Sequence, residues 1–305
     1  MEAKAGPKRI WLRVDGVLLL DKPHGMTSNT VLQKARRLFS AAKAGHTGTL
    51  DPMATGLLPL CFGEATKFSA DLLDADKTYE AELCFGVTTA TGDAEGEVLE
   101  RRVPQFSRTD LDRALENFRG RIVQIPPMYS ALKRDGQPLY KLARQGITVE
   151  REAREIDIDE LVLLDLSEDG GTCRLRVRCS KGTYIRTLAE DIGRALGCGA
   201  HLTALRRTAV GDLAEARTVT LDALEALPEA ERNAWLLPVD TLLQGEPKLV
   251  LDEEPRSRFS HGNPVSVGST LRGRCRVYSS DGVLLGVGHV DLTGTVHPRR
   301  LVAAC

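Results

Sequence analysis

The sequence predicts an α+β chain that ends in a small all-β module, and three observations predict it. Segments 77–86 (KTYEAELCFG) and 172–179 (TCRLRVRC) alternate apolar and polar residues, as half-buried strands do. Segments 28–39 and 183–197 instead repeat apolar residues at helical spacing. From about residue 246 the texture changes to short β-prone runs, PVSVG, CRVYS and VLLGVGHV, parted by Gly, Asn and Asp. With 305 residues, 42% of them hydrophobic, there is material for one large core or two unequal ones.

Taken in order, GVLLL (16–20) reads as a buried strand stopped by the turn DKPHG. TSNTVLQKARRLF follows as a helix with Ser28 as N-cap. Its Val31, Leu32, Ala35, Leu38 and Phe39 share one face, which leaves Lys34, Arg36 and Arg37 in solvent. Three Gly and two Pro within 45–59 predict a loop with no regular element. In the strand 77–86, Tyr79, Ala81, Leu83 and Phe85 fall on one side. TTATGDAEGE (88–97), polar and Gly-containing, predicts a mobile excursion. RTDLDRALENFRG predicts a capped helix from Thr109 to Gly120, and PLYKLARQG another, with Pro138 in its first turn and Gly146 just past its end. LVLLDL and TCRLRVRC are strands; in the second, Cys173, Leu175, Val177 and Cys179 face inward and Arg174, Arg176 and Arg178 outward. TYIRTLAEDIGRALG is a helix closed by Gly197, 227–247 is a connector, and disorder is expected for the first dozen residues.

Composition narrows the function classes. No run approaches the roughly 18 apolar residues of a membrane span, and the N-terminus lacks the apolar stretch of a secretory signal. Seven cysteines at irregular spacing, without CxxC, argue for reduced thiols in a cytoplasmic protein and against a disulfide framework or structural zinc. Net charge is −1, yet residues 1–50 hold nine Lys/Arg against three Asp/Glu, an asymmetry able to create a local basic surface. There is no GxxxxGK[ST], no glycine pair opening a helix, no GxSxG, no HEXXH, and no HxE with PCxxC. P-loop, dinucleotide, α/β-hydrolase and zinc-enzyme chemistry are all disfavoured.

What stands out is AGHTGTLDPMATG. Its glycines let backbone approach a ligand closely, and it carries one carboxylate, Asp51, fixed by the following Pro, with His46 five residues earlier. Asp51 is either a turn cap or a catalytic acid, and the residues alone leave both open. Lys22 in DKPHG, Tyr79 in KTYEA, and Tyr184 with Arg186 in SKGTYIR are candidate partners; the last pair begins a helix directly after a strand.

Together GVLLLDKPHGMTSN, AGHTGTLDPMATGLLPLCFGEATK, DKTYEAELCFG, QIPPMYSALKRDGQPLYKLARQG and SKGTYIRTLAEDIGRALGCGAHLTALRRTAVG resemble the bacterial stand-alone transfer-RNA pseudouridine synthases of the TruB type. The stretch from HGNPV to HPRRLV is similar to that family's small RNA-binding module of PUA type. The guide-RNA-dependent synthases share the core motifs, but block 99–150 and the compact C-terminus look more like the stand-alone type.

The resemblance implies a mixed, largely antiparallel sheet flanked by helices, with a cleft across its middle. It implies a catalytic domain over 1–245, with 99–150 as an insertion gripping the T arm, and a PUA-type domain over 246–305. It further implies isomerisation of uridine 55 in the T-arm loop of tRNA, by base flipping and Asp-dependent remaking of the glycosidic link as C–C. Folding assistance to tRNA is a second expected role. No cofactor, metal, membrane, guide RNA or obligatory protein partner is implied, and the expected state is a monomer. By residue, Asp51 is the catalytic carboxylate and Arg186 its salt-bridge partner, expected to hold it bidentately. Tyr79 stacks on the flipped uracil, and His46 fills the vacated space. Tyr184 and Leu205 complete the pocket wall, and Lys22 and Pro23 buttress the loop. Lys34, Arg36, Arg37, Arg206, Arg207, Arg299 and Arg300 are expected on the RNA backbone.

Overall fold

The computed structural model describes residues 10–303. The expectation of disorder at the N-terminus lies, for residues 1–9, outside that range. Residues 10–12 are placed: Leu12 bridges Ala41, and its N–H donates to the Ser40 carbonyl at 2.7 Å.

Apart from short 3-10 turns, the first half contains β1 (Gly16–Lys22), α1 (Ser28–Leu38), β2 (Ala44–His46), β3 (Thr55–Phe62), α2 (Ser69–Asp74), β4 (Lys77–Phe85), β5 (Val87–Thr89), β6 (Val98–Arg101), α3 (Arg108–Glu116) and β7 (Gly120–Gln124). Next come β8 (Lys133–Arg134), β9 (Gln137–Pro138), α4 (Leu139–Arg144), β10 (Arg154–Leu166), β11 (Thr172–Cys179), α5 (Ile185–Ala195) and β12 (Ala200–Val210). The chain continues through β13 (Leu213–Ala214), β14 (Val219–Thr220), α6 (Leu221–Ala226) and α7 (Glu229–Arg232). It finishes with β15 (Lys248–Leu251), α8 (Glu253–Ser260), β16 (Val265–Ser266), β17 (Gly273–Ser279), β18 (Leu284–Val290) and β19 (Thr295–Leu301).

Ten strands form one mixed, largely antiparallel sheet in the order β14-β1-β3-β12-β4-β11-β10-β7, with β2 beside β3 and β13 beside β12. Only β1–β14 and β3–β12 run parallel. The β3–β12 contact is brief: Thr55 pairs with Arg206, and Gly56 with Arg207. At Gly56, φ is +95° and a Cβ would lie 2.3 Å from the Arg207 carbonyl oxygen, so only glycine permits this approach.

The apolar run of β1 is buried on both faces. Leu18 and Leu20 join the main core with residues of α1, α3, α5 and α6, while Val17 and Leu19 face a second cluster with Leu72 of α2 and Val287 of β18. α5 buries Ile185, Leu188, Ala189 and Ile192. Each large aliphatic side chain buried this way is worth about 1.5–3 kcal/mol. Gly193 lets α5 sit on β12, since a Cβ there would come 2.3 Å from the Ala200 nitrogen.

The structure redraws several expected boundaries. β1 runs on through Asp21 and Lys22 because it pairs with β3 along its whole length. The N-cap of α1 is Thr27, not Ser28, and that of α3 is Ser107, in a capping box with Asp110, two residues before the expected Thr109. The α3 helix ends with Asn117 as its C-cap, and Gly120 opens β7. Segment 45–59 is a loop only over 47–54. Pro59 sits inside β3 opposite Leu19. Its carbonyl accepts from Thr47 on the side away from β1, so its missing N–H falls where β2 has already ended. The supposed excursion 88–97 is anchored: Asp93 bridges Leu202, and the Ala94 N–H donates to the Leu202 carbonyl at 2.9 Å.

Within 99–150, α3 contributes Leu111 and Leu115 to the main core and β7 pairs with β10. What remains of the block, from residue 125 on, holds the β8–β9 hairpin and α4. The C-terminal module is a five-stranded sheet, β15-β17-β18-β19-β16, with α8 packing Phe259 into its core. It is laced to the body at several points. Arg274 meets Asp71 at 2.6 Å, Lys67 donates to the Leu301 carbonyl at 2.9 Å, and the Ala303 N–H donates to Glu64 at 2.7 Å.

Candidate active site

Asp51 lies in the loop between β2 and β3, and β1 holds that loop from beneath. Lys22 is fully buried, and its ammonium donates to the carbonyls of Pro23, Pro52 and Ala54 at 2.9, 3.1 and 2.6 Å, fixing the backbone that follows Asp51. Burial pushes the Lys22 pKa down to about 8, against the pull of Asp51. Ser28 has a related task. Its hydroxyl donates to the Leu50 carbonyl at 3.0 Å and accepts from the Leu50 N–H at 2.8 Å, tying α1 to the loop.

Across from the loop, α5 delivers Arg186 from its first turn. The side chain is only 5% exposed, and its Nε lies 3.0 Å from Asp51 Oδ2 and 3.6 Å from Asp93 Oδ2. Nη1 donates to the Thr91 carbonyl at 3.0 Å and Nη2 to that of Tyr129 at 2.7 Å. The expected bidentate grip on Asp51 is therefore absent. One nitrogen serves two carboxylates, and the two ends of the fork fix backbone on separate segments. Burial raises the Asp51 pKa; Arg186 opposes that shift and Asp93 adds to it. Asp51 thus ionises less readily than an ordinary aspartate, with its side chain 38% exposed toward the cavity.

A cavity of about 240 Å³ opens over this pair, and Asp51, Tyr79, Tyr184, Arg186 and Leu205 all line it. Tyr79 projects from β4, Leu205 from β12, and Tyr184 is the N-cap residue of α5. Gln124, at the end of β7, positions Tyr184. It accepts from the Tyr184 N–H at 2.8 Å and donates to the Tyr184 carbonyl at 3.1 Å. Burial raises the pKa of the Tyr79 hydroxyl, and the adjacent Arg207 guanidinium partly offsets that.

Arg207 also lines this cavity, and the remaining sequence candidates fall elsewhere. His46 is the last residue of β2, outside the cavity lining, with its Nδ1 buried and without a hydrogen bond. Lys22 and Pro23 support the loop from behind and do not line the cavity. Arg207 was expected on the RNA backbone but is 1% exposed. It donates to the Leu57 carbonyl at 2.8 Å and to that of Gly48 at 3.3 Å, bracketing the loop inside the protein. Arg206, one residue earlier on the opposite strand face, is bidentate to Asp21 at 3.1 and 2.9 Å and bonds Glu215 at 2.8 Å, so its charge is already neutralised. Arg36 is tied to the carbonyls of Ala41 and Ala42 at 3.0 and 2.8 Å and stacks on Trp11, where free solvation was expected. Arg299 and Arg300 are exposed on β19, Arg37 is exposed on α1, and Lys34 is half-buried there.

Asp93 and Gln124 went unnoticed in the sequence. Asp93 sits in a polar Gly-rich segment with the composition of a solvent loop, and nothing local marks it. Gln124 is 1% exposed, and a buried polar residue is visible only once burial is known.

Three family models match consecutive stretches of the chain. They are the TruB family pseudouridylate synthase N-terminal domain over residues 36–185, the tRNA pseudouridylate synthase B C-terminal domain over 186–244, and the pseudouridine synthase II TruB C-terminal domain over 247–302. A tRNA pseudouridine synthase B of Dechloromonas aromatica (strain RCB) is 62% identical over 295 residues, covering 97% of this chain and 98% of that protein. One of Burkholderia mallei (strain ATCC 23344) is 56% identical over 303 residues, covering 97% of this chain and 96% of the relative. A chain in a solved Cbf5–Nop10–Gar1 complex superposes with a TM-score of 0.71 at 25% identity, covering 94% of this chain and 84% of that one.

Proposed function

Because the chain belongs to the TruB family and is a tRNA pseudouridine synthase, we propose that it converts uridine 55 in the T-arm loop of tRNA, with Asp51 as the essential carboxylate. The observation that carries this reading is the convergence of the Asp51 carboxylate, the Tyr79 ring and a buried arginine on one cavity.

The target base is stacked within the folded loop, so it must first be extruded, at a cost of roughly a few kcal/mol. Tyr79 offers the ring on which the everted uracil stacks, with Leu205 and Tyr184 as walls. His46 stands on β2 outside the cavity, where an imidazole can stack into the space the base leaves. The glycosidic C1′–N1 bond breaks, the base turns, and C1′–C5 forms; the proton on C5 leaves and N1 gains one. Arg186 engages Oδ2 of Asp51, and Oδ1 is the oxygen available for reaction. Attack on the sugar, attack on the base and removal of a sugar proton all use this carboxylate in this position. The Tyr79 hydroxyl, kept neutral by burial, is the candidate hydrogen-bonding group that assists departure of the late proton from C5.

The C-terminal module serves as a PUA-type RNA-binding domain, and the stretch 125–153, with Ser130 and Ala131 at the cavity, grips the T arm. Binding and extrusion without chemistry also assist tRNA folding. The enzyme acts as a cytoplasmic monomer. The test is pure protein on a bare T-arm hairpin. Conversion of the single target uridine is expected, and a strict requirement for a guide RNA or a second protein would refute the stand-alone reading.

A further inference from the structure

We propose that Lys181 is a phosphate ligand at the mouth of the catalytic cavity, and that Asp74 is an internal anion occupying its place until RNA arrives. Lys181 lies between Ser180 and Gly182, which both line the cavity, and Asp74 follows Leu73, a lining leucine that is 46% exposed. The ammonium and the carboxylate meet at 2.8 Å, so the pair ties one rim of the opening to the other. Both side chains stay open to water, at 60% and 69% exposure. An ion pair this exposed is close to break-even against solvent, which makes it a poor tie and an easily exchanged one.

Asp74 is not placed to serve its helix. It is the last residue of α2, the end at which a carboxylate is disfavoured. The carbonyls there already have a cation, since Lys77 donates to Leu72, Leu73 and Ala75 at 3.2, 2.7 and 2.5 Å. The opposite rim is built for an anion. α5 starts at Ile185 with no side-chain cap, presenting its positive end beside the opening. Arg154 Nη1 stands 3.4 Å from where a Cβ on Gly182 would be, which adds a second cation. Asp74 thus sits between the cations Lys181 and Lys77, with the nearby Asp76 already engaged by Arg178, where the backbone of an everted nucleotide has to cross. The inference rests on the reading of this cavity as that nucleotide's seat.

The experiment is equilibrium binding of a T-arm hairpin to the full chain over a range of salt, for Lys181→Met, Asp74→Asn and the double variant. Lys181→Met is expected to weaken binding about fivefold and to flatten the salt slope by about 0.7–0.9. Asp74→Asn is expected to tighten binding about two- to fivefold, the value of one exposed pair no longer competing. In the Lys181→Met background Asp74→Asn should change nothing. Equal losses in both single variants, tracking their melting temperatures, would make the pair a structural tie and overturn the proposal. A gain from Asp74→Asn that persists without Lys181 would overturn it too, as a general charge effect. Should wild type fail to bind the hairpin, the functional reading falls and takes this proposal with it. Should wild type bind while the variants do not diverge, only the role of Lys181 and Asp74 falls.

Discussion

Arg186→Lys retains the charge at the centre of the site and removes the fork, so its consequence can be worked from the contacts. Arg186 reaches Asp51 and Asp93 with Nε while Nη1 and Nη2 hold the carbonyls of Thr91 and Tyr129, on different segments. One ammonium with a shorter reach cannot be in all these places. Drawn to the two carboxylates, it leaves two buried carbonyls without donors, each at about 1–3 kcal/mol. The total is roughly 2–6 kcal/mol, reduced where water enters from the cavity. If about 3 kcal/mol of this falls on the reactive arrangement, the rate drops by roughly a hundredfold. The assay is single-turnover release of tritium from C5 of the target uridine, the position the new C–C bond takes over, alongside thermal unfolding. A lysine variant that stays folded and reacts within threefold of wild type would show that the fork does not hold the site together.

Further outcomes are expected. Asp51→Asn should keep hairpin affinity in filter binding and lose turnover, and any sustained multiple turnover by the purified variant contradicts the assigned role. With ionised Asp51 as the proposed active form and burial raising its pKa, activity should fall on acidification at a higher pH than the ordinary carboxylate value of about 3.9. Asp93→Asn removes a like charge, favours the ionised form and should move that limb to lower pH; a pH–rate profile that stays put or moves upward refutes the coupling. Tyr79→Phe should bind RNA nearly as wild type and stall after bond cleavage, whereas full activity in a product-release assay would remove the hydroxyl from the mechanism. Ala substitution at Arg299 or Arg300 should flatten the salt slope of binding by about 0.7–0.9 each, while Arg206→Ala leaves it unchanged because Asp21 and Glu215 already neutralise that charge; the reverse pattern would place the RNA on the other face.

What could be read in the sequence was what local periodicity controls. The alternation of Tyr79, Ala81, Leu83 and Phe85, and of Cys173 to Cys179, survives in β4 and β11 because each faces a core on one side only. The α5 helix was legible because its apolar positions repeat at helical spacing and Gly197, at φ +75°, stops it. β3 was not, since Gly56 and Pro59 look like breakers until a neighbouring strand supplies the reason for each. The pairing of Asp51 with Arg186 crosses 135 residues of chain, and only family resemblance suggested it. The separate places of Arg206 and Arg207 were not legible, because nothing local marks 200–210 as a strand. Once β12 is known, its adjacent residues point to opposite faces, which sends Arg206 to Asp21 and Arg207 into the protein.

Arg207 has one more consequence. Its buried partners are neutral oxygens, so its charge is never cancelled by a carboxylate. Burial lowers the pKa of His46, Lys22 and Lys77 and the Arg207 charge adds to each shift, while at the Tyr79 hydroxyl burial raises the pKa and Arg207 opposes it. The Arg207 charge therefore stands at the cavity wall in a position set when the chain folds and independent of any ligand. On the proposed mechanism, negative charge that develops on the everted base meets a cation already in place, and no solvent has to reorient at the moment of bond cleavage.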